Sequence, residues 1–98
     1  MVYTTDQLIQ FLKDHKEHFA REFTVTKLGL FGSYARREPT EESDIDIVVE
    51  LEKPDLFYVI GVKQAVEEAF GPRVDVVRLR DSMNAVLKKR IERDVIYV

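Results

Sequence analysis

Two aspartates one residue apart, Asp44 and Asp46, lead straight into Ile47-Val48-Val49. Side chains alternate along a strand, so Asp44 and Asp46 point one way while Ile45, Ile47 and Val49 point the other. The apolar set is the natural core face, which leaves two carboxylates side by side where a strand begins. Like charges this close raise each other's pKa unless a cation holds them. Hard oxygen ligands at this spacing suit Mg²⁺, which takes one or two protein carboxylates together with substrate phosphates. About a dozen residues upstream, the apolar run Leu28 to Phe31 ends at Gly32-Ser33. Glycine lets backbone approach a ligand closely. Serine is a preferred N-cap, so a short helix is expected to begin at Ser33 and run through Tyr34-Ala35-Arg36-Arg37. Backbone N–H groups at a helix start, with a hydroxyl beside them, bind phosphate. Together the two features point to a nucleoside triphosphate bound through Mg²⁺.

The elements that must position these residues are legible on either side. Thr4 followed three residues later by Gln7 fits a capping box, and Leu8, Ile9, Leu12 and Phe19 then recur at helical spacing, predicting a helix to about Glu22. Thr24 to Phe31 is β-branched and apolar enough for a strand. Pro39 to Ser43 is a polar, acidic loop, and a second strand is expected over Asp44 to Leu51. Pro54 suits the first turn of a helix whose stripe is Leu56, Val59, Ile60, Val62, Val66 and Phe70. Phe57 and Tyr58 read as core or rim aromatics. Gly71-Pro72 stops that helix, because glycine serves as C′ and proline cannot continue. Val74 to Leu79 is a third strand. Asp81-Ser82 is expected to cap a last helix with the stripe Met83, Val86, Leu87, Ile91, and its Lys88, Lys89, Arg90 and Arg93 read as a solvated face or, alternatively, as a surface for an acidic partner or a phosphate. The apolar end, Val95 to Val98, fits a terminal strand or a docking tail. Strands alternating with helices predict an α/β sheet with helices packed on it.

Asp75 breaks the apolar run of the third strand without standing at a turn. A carboxylate inside a strand is costly unless it is paired or binds a metal. From the residues alone, an ion pair with Arg73 or Arg78 and a place in the carboxylate site are both open. His15 and His18 lie three apart on the first helix, but no further ligand follows at a recognisable spacing, so they read as surface histidines.

With 98 residues the chain is read as one domain, residues 1–98, with one modest core. Zero cysteines exclude disulfides and thiolate metal sites and suit a reducing cytoplasm. No run is long and apolar enough to predict a membrane span or an export signal. A net charge of −3 with pI ≈ 5.4 argues against general nucleic-acid binding.

Phe-Gly-Ser-Tyr-Ala-Arg and Glu-Ser-Asp-Ile-Asp-Ile-Val-Val, separated as they are here, resemble the Gly-Ser…Asp-x-Asp signature of the polymerase β-like nucleotidyltransferases, and most closely the minimal nucleotidyltransferase (MNT) proteins. The resemblance spans nearly the whole chain. It implies a mixed, three-stranded core sheet in the order helix-strand-helix-strand-helix-strand-helix, with the site at one edge. It also implies a third carboxylate on the strand after Asp-x-Asp, and Asp75 is the residue placed to match it. On that pattern Asp44, Asp46 and Asp75 are the catalytic and metal-binding residues of a two-Mg²⁺ site, and Gly32, Ser33 and Arg36 bind the nucleotide phosphates. Relatives often carry glycine where Arg37 stands here. Many MNT proteins are antitoxins paired with a HEPN-domain toxin, and the family's activity includes transfer of AMP from ATP to that partner. The resemblance therefore implies an adenylyltransferase using ATP and Mg²⁺, with a HEPN-type partner. A toxin-masking protein without catalysis, and a transferase acting on a small-molecule or RNA hydroxyl, are the competing expectations.

Overall fold

In a computed structural model, residues 2–98 are described. The first helix, α1 (Thr5–Phe23), starts where the capping box places it: Thr4 Oγ1 accepts from Gln7 N–H at 3.1 Å, and Gln7 Oε1 accepts from Thr4 N–H at 2.8 Å. Its buried side chains are Thr5, Leu8, Leu12 and Phe19. Thr24, in the left-handed region at φ 55°, ends the helix and turns the chain into β1 (Val25–Phe31). A four-residue helix, α2 (Gly32–Ala35), leads through the loop to β2 (Ile45–Leu51). Then come α3 (Leu56–Phe70), β3 (Val74–Arg78), α4 (Ala85–Asp94) and β4 (Ile96–Tyr97).

The sheet order is β3-β2-β1-β4. β1 runs antiparallel to β2 and to β4, and β2 runs parallel to β3. Parallel neighbours need a crossover, which α3 supplies. The mixed sheet agrees with expectation, and the three core strands are joined by a fourth, the terminal strand that is one of the two expectations for the apolar end. The apolar end of the chain forms it, with Val98 N–H donating to Leu28 C=O at 2.9 Å to extend the pairing.

The two faces of the sheet are covered unequally. Leu28, Leu30, Ile45, Ile47, Val49 and Val74 join Leu8, Leu12 and Phe19 of α1 and Val62 and Val66 of α3 in the larger core. On the opposite face Phe31 and Val48 pack with Met83 and with Ile91 of α4. Asp46 and Val48 are two residues apart on one strand, so the smaller core and the carboxylate share a face.

The starts of α3 and α4 differ from the sequence expectation. Pro54 lies outside α3, whose N-cap is Asp55, its Oδ1 accepting from Phe57 N–H at 2.9 Å. α4 begins at Ala85, not after Asp81-Ser82, because Asn84 Oδ1 accepts from both Val86 N–H and Leu87 N–H, at 2.9 and 3.1 Å. One cap satisfying two orphan donors outcompetes the earlier start. Met83 is accordingly a buried loop residue rather than part of a helix stripe. The buried stripe of α3 is also narrower than its periodicity predicts. Leu56 and Ile60 are exposed, Phe57 is 78% exposed and is no core aromatic, and the buried positions are Val62 and Val66.

Candidate active site

Strand register brings the separated motifs together. In the antiparallel β1–β2 pair Phe31 stands opposite Asp46, so the glycine that follows Phe31 lands beside the Asp46 side chain. Gly32 has φ +76°, a left-handed conformation that L side chains rarely adopt, and a Cβ built there would overlap Asp46 Oδ2. Glycine is thus required twice, by backbone angle and by space. The short helix starts one residue earlier than expected: Phe31 is its N-cap and makes no side-chain cap bond, so Ser33 lies within the first turn. Ser33 C=O instead accepts from Glu38 N–H at 3.0 Å.

The parallel β2–β3 pair sets Asp46 beside Asp75. Neighbouring strands lie about 4.8 Å apart, and paired residues present side chains to the same face. Asp44 precedes β2 and is exposed, as is Asp75, while Asp46 is half-buried. Asp46 is pushed up from 3.8 to about 6, first by burial and next by the Asp75 charge. Arg90 pulls against this, Asp44 adds to it, and Arg36 pulls down last. Asp44 and Asp75 therefore both act on Asp46 at one end of the sheet. Asp75 takes part in none of the ion pairs within 4.0 Å among the described residues, so the pairing with Arg73 or Arg78 does not form. The Arg73 guanidinium instead donates to the Glu42 backbone carbonyl.

Among the described residues no three His, Cys, Asp or Glu side chains already surround one point as a ready-made metal cage. Two or three carboxylates on one face still suit Mg²⁺, which fills its shell from substrate and water. The histidines do not join them. His15 stacks on Phe11 with ring centroids 4.0 Å apart, and its Nδ1 lies 2.9 Å from Phe11 C=O, which is a packing role.

Arg36 follows Ala35, and its backbone N–H donates to Gly32 C=O at 3.1 Å, so it belongs to the same turn as the glycine. Its Nη1 donates to Asp94 Oδ2 at 2.7 Å. Arg37 has φ +60°, a left-handed conformation that favours glycine. Its side chain reaches back to Asp6 of α1 at 3.0 Å, away from the carboxylates. Asp94 of α4 is the site neighbour that the sequence reading missed, while Arg90, one turn before it, stands only within the basic cluster that reads first as a solvated face. Asp94 lies 58 residues from Arg36, and no local spacing signals their meeting.

A family model of the nucleotidyltransferase domain matches residues 10–98. The chain is 36% identical over 96 residues to the protein adenylyltransferase MntA of Thermococcus cleftensis, covering 97% of this chain and 96% of that one. A solved structure assigned as a minimal nucleotidyltransferase superimposes with a TM-score of 0.77 at 28% identity, over 96% of this chain and 95% of the other. A tri-AMPylated Shewanella oneidensis HEPN toxin in complex with its MNT antitoxin matches with a TM-score of 0.62 at 25% identity, over 90% of this chain and 69% of that chain. With the glycine turn and the carboxylates assembled on one sheet end, and a family match across nearly the full length, the chain belongs to the nucleotidyltransferase-domain family.

Proposed function

We propose that this chain transfers AMP from ATP to a hydroxyl of a partner protein, and that it serves as the antitoxin of a HEPN-type toxin. The observation that carries the reading is the contact of Gly32 with Asp46, in register with Asp75, which joins a phosphate-binding turn to a carboxylate cluster. The choice of acceptor leans on the relatives, one named a protein adenylyltransferase and one solved with an AMPylated HEPN toxin. A reaction fed by ATP fits a cytoplasmic protein in which residues 1–98 act as one nucleotidyltransferase domain.

In this reading Gly32 and Ser33 hold the β- and γ-phosphates through backbone N–H groups and the Ser33 hydroxyl, and Arg36 adds a guanidinium from the same turn. Asp44, Asp46 and Asp75 would hold Mg²⁺. The fit is electrostatic: Asp46 sits near 6 because burial and two acidic neighbours oppose its charge, and a divalent cation relieves that repulsion. When bound, Mg²⁺ neutralises the triphosphate and lowers the pKa of the acceptor hydroxyl. Asp75, exposed at the rim, faces the incoming hydroxyl and accepts its proton. The hydroxyl oxygen bonds to the α-phosphorus, the bond from that phosphorus to the bridging oxygen breaks, and pyrophosphate leaves. Such chemistry asks the protein mainly for positioning and charge stabilisation.

Intact-mass spectrometry of the chain co-expressed with its toxin partner tests this, wild type beside Asp44→Asn. The expected result is a partner heavier by one or more AMP groups with wild type only. An unmodified partner that still co-purifies refutes the transferase reading in favour of a masking protein. No partner and no mass change turns the search to small-molecule or RNA hydroxyls.

A further inference from the structure

We propose that Asp94, the last residue of α4, is a positioning residue that holds the Arg36 guanidinium at the phosphate end of the site. This rests on the nucleotidyltransferase reading and extends it to a helix that carries none of the signature residues. Asp94 accepts from Arg36 Nη1 at 2.7 Å and from Arg93 Nε and Nη2 at 2.9 and 3.0 Å. Its side chain is only 3% exposed, yet it does not lie in the core. The two arginines that cover it are themselves 38% and 62% exposed. Their hydrogen bonds, that of Arg93 foremost, hold the Asp94 carboxyl below the usual carboxylate range.

The charge balance indicates what this arrangement does. Asp94 faces two guanidiniums, so it does not by itself cancel the charge of Arg36, and the Glu38 carboxylate beside Arg36 is 73% exposed and screened by solvent. Arg36 spends Nη1 on Asp94, and its Nε lies 3.7 Å from Glu38. Nη2 is left for a ligand oxygen. Both ends of the clamp are anchored. Arg36 belongs to the turn of Gly32, which touches Asp46. Asp94 lies one turn beyond Ile91, which is buried against Phe31 and Val48 on the carboxylate face. A long arginine side chain has many rotamers to lose when it meets a phosphate. Asp94 removes much of that cost beforehand, which is preorganisation.

Equilibrium binding of ATP with Mg²⁺, and separately of AMP, to the full chain tests the assignment by calorimetry. General electrostatics and positioning predict opposite signs. Removing a negative charge beside an anion site should tighten ATP binding if only Coulomb attraction counts. Positioning predicts that Asp94→Ala and the near-isosteric Asp94→Asn each weaken ATP binding, by about tenfold. AMP, which lacks the β- and γ-phosphates, should bind each variant as it binds wild type. Arg36→Ala should lose as much, and the Arg36→Ala/Asp94→Ala pair no more than Arg36→Ala alone, since Asp94 acts through Arg36. Unchanged or tighter ATP binding in Asp94→Asn overturns the proposal, as does a double variant that loses the sum of the two. If Asp46→Asn abolishes Mg²⁺-dependent ATP binding while the Asp94 variants bind normally, this assignment fails alone. A wild-type chain that binds no ATP overturns it together with the reading beneath it.

Discussion

Replacing Asp46 with asparagine should stabilise the metal-free protein above neutral pH while abolishing transfer. The Asp46 carboxyl is raised from 3.8 to about 6 in the folded chain. A raised carboxylate pKa means that the fold favours the protonated form. The associated stability is fully present below 3.8 and is lost as pH rises through 6. A shift of about two units corresponds to about 3 kcal/mol at 1.36 kcal/mol per unit. Asp46 is half-exposed, so solvent screening reduces the expected effect to about 1 kcal/mol. The asparagine of the variant carries no charge and escapes the penalty. Urea unfolding of both proteins in EDTA, in steps from about pH 4 to about pH 8, reads the difference directly. The two stabilities should run together at the acid end and diverge through pH 6, with the variant ahead by about 1 kcal/mol at pH 8, or roughly 4–8 °C in Tm. Mg²⁺ should restore stability to the wild type and leave the variant unmoved. Parallel curves, or a variant less stable at pH 8, would show that the carboxylates do not strain the fold as the register implies.

Gly32→Ala should cost more than about 1 kcal/mol, because alanine at φ +76° is strained and its Cβ overlaps Asp46 Oδ2. Transfer should fall with it, and normal activity in a normally stable variant would refute the shared geometry of turn and carboxylate. Gly61→Ala drives a Cβ into the Phe23 ring between α3 and α1, on the opposite face of the sheet. It should lower stability by about 1–3 kcal/mol in thermal unfolding, with activity per folded molecule unchanged.

The candidate site residues were open to reading because they are marked by local signals. Gly32-Ser33 at a strand end, the alternating Asp44-Ile45-Asp46 and the intrusive Asp75 each break a pattern at a nameable position. Element order followed from capping and periodicity, which act within a few residues, and the Thr4–Gln7 box and the Gly71 stop stand where expected. Errors arose where two local signals competed. Asp81-Ser82 was expected to cap α4, and the double hydrogen bond of Asn84 prevailed. Along α3 apolar residues occur on every side, so periodicity did not separate buried Val62 and Val66 from exposed Leu56 and Phe57.

Local patterns alone determined the residue types that can bind phosphate and metal, the strands that carry them, and the face on which the carboxylates lie. Only tertiary structure decided which of them meet. The register of Phe31 against Asp46 and of Asp46 against Asp75 depends on strand pairing across loops and a crossover helix. The fourth strand depends on an open edge of β1 that no sequence window displays. The Arg36–Asp94 pair spans 58 residues, and it forms because Ile91 docks α4 against the carboxylate face. Periodicity and capping reach only a few residues along the chain, whereas such meetings are settled by burial and packing across the whole fold.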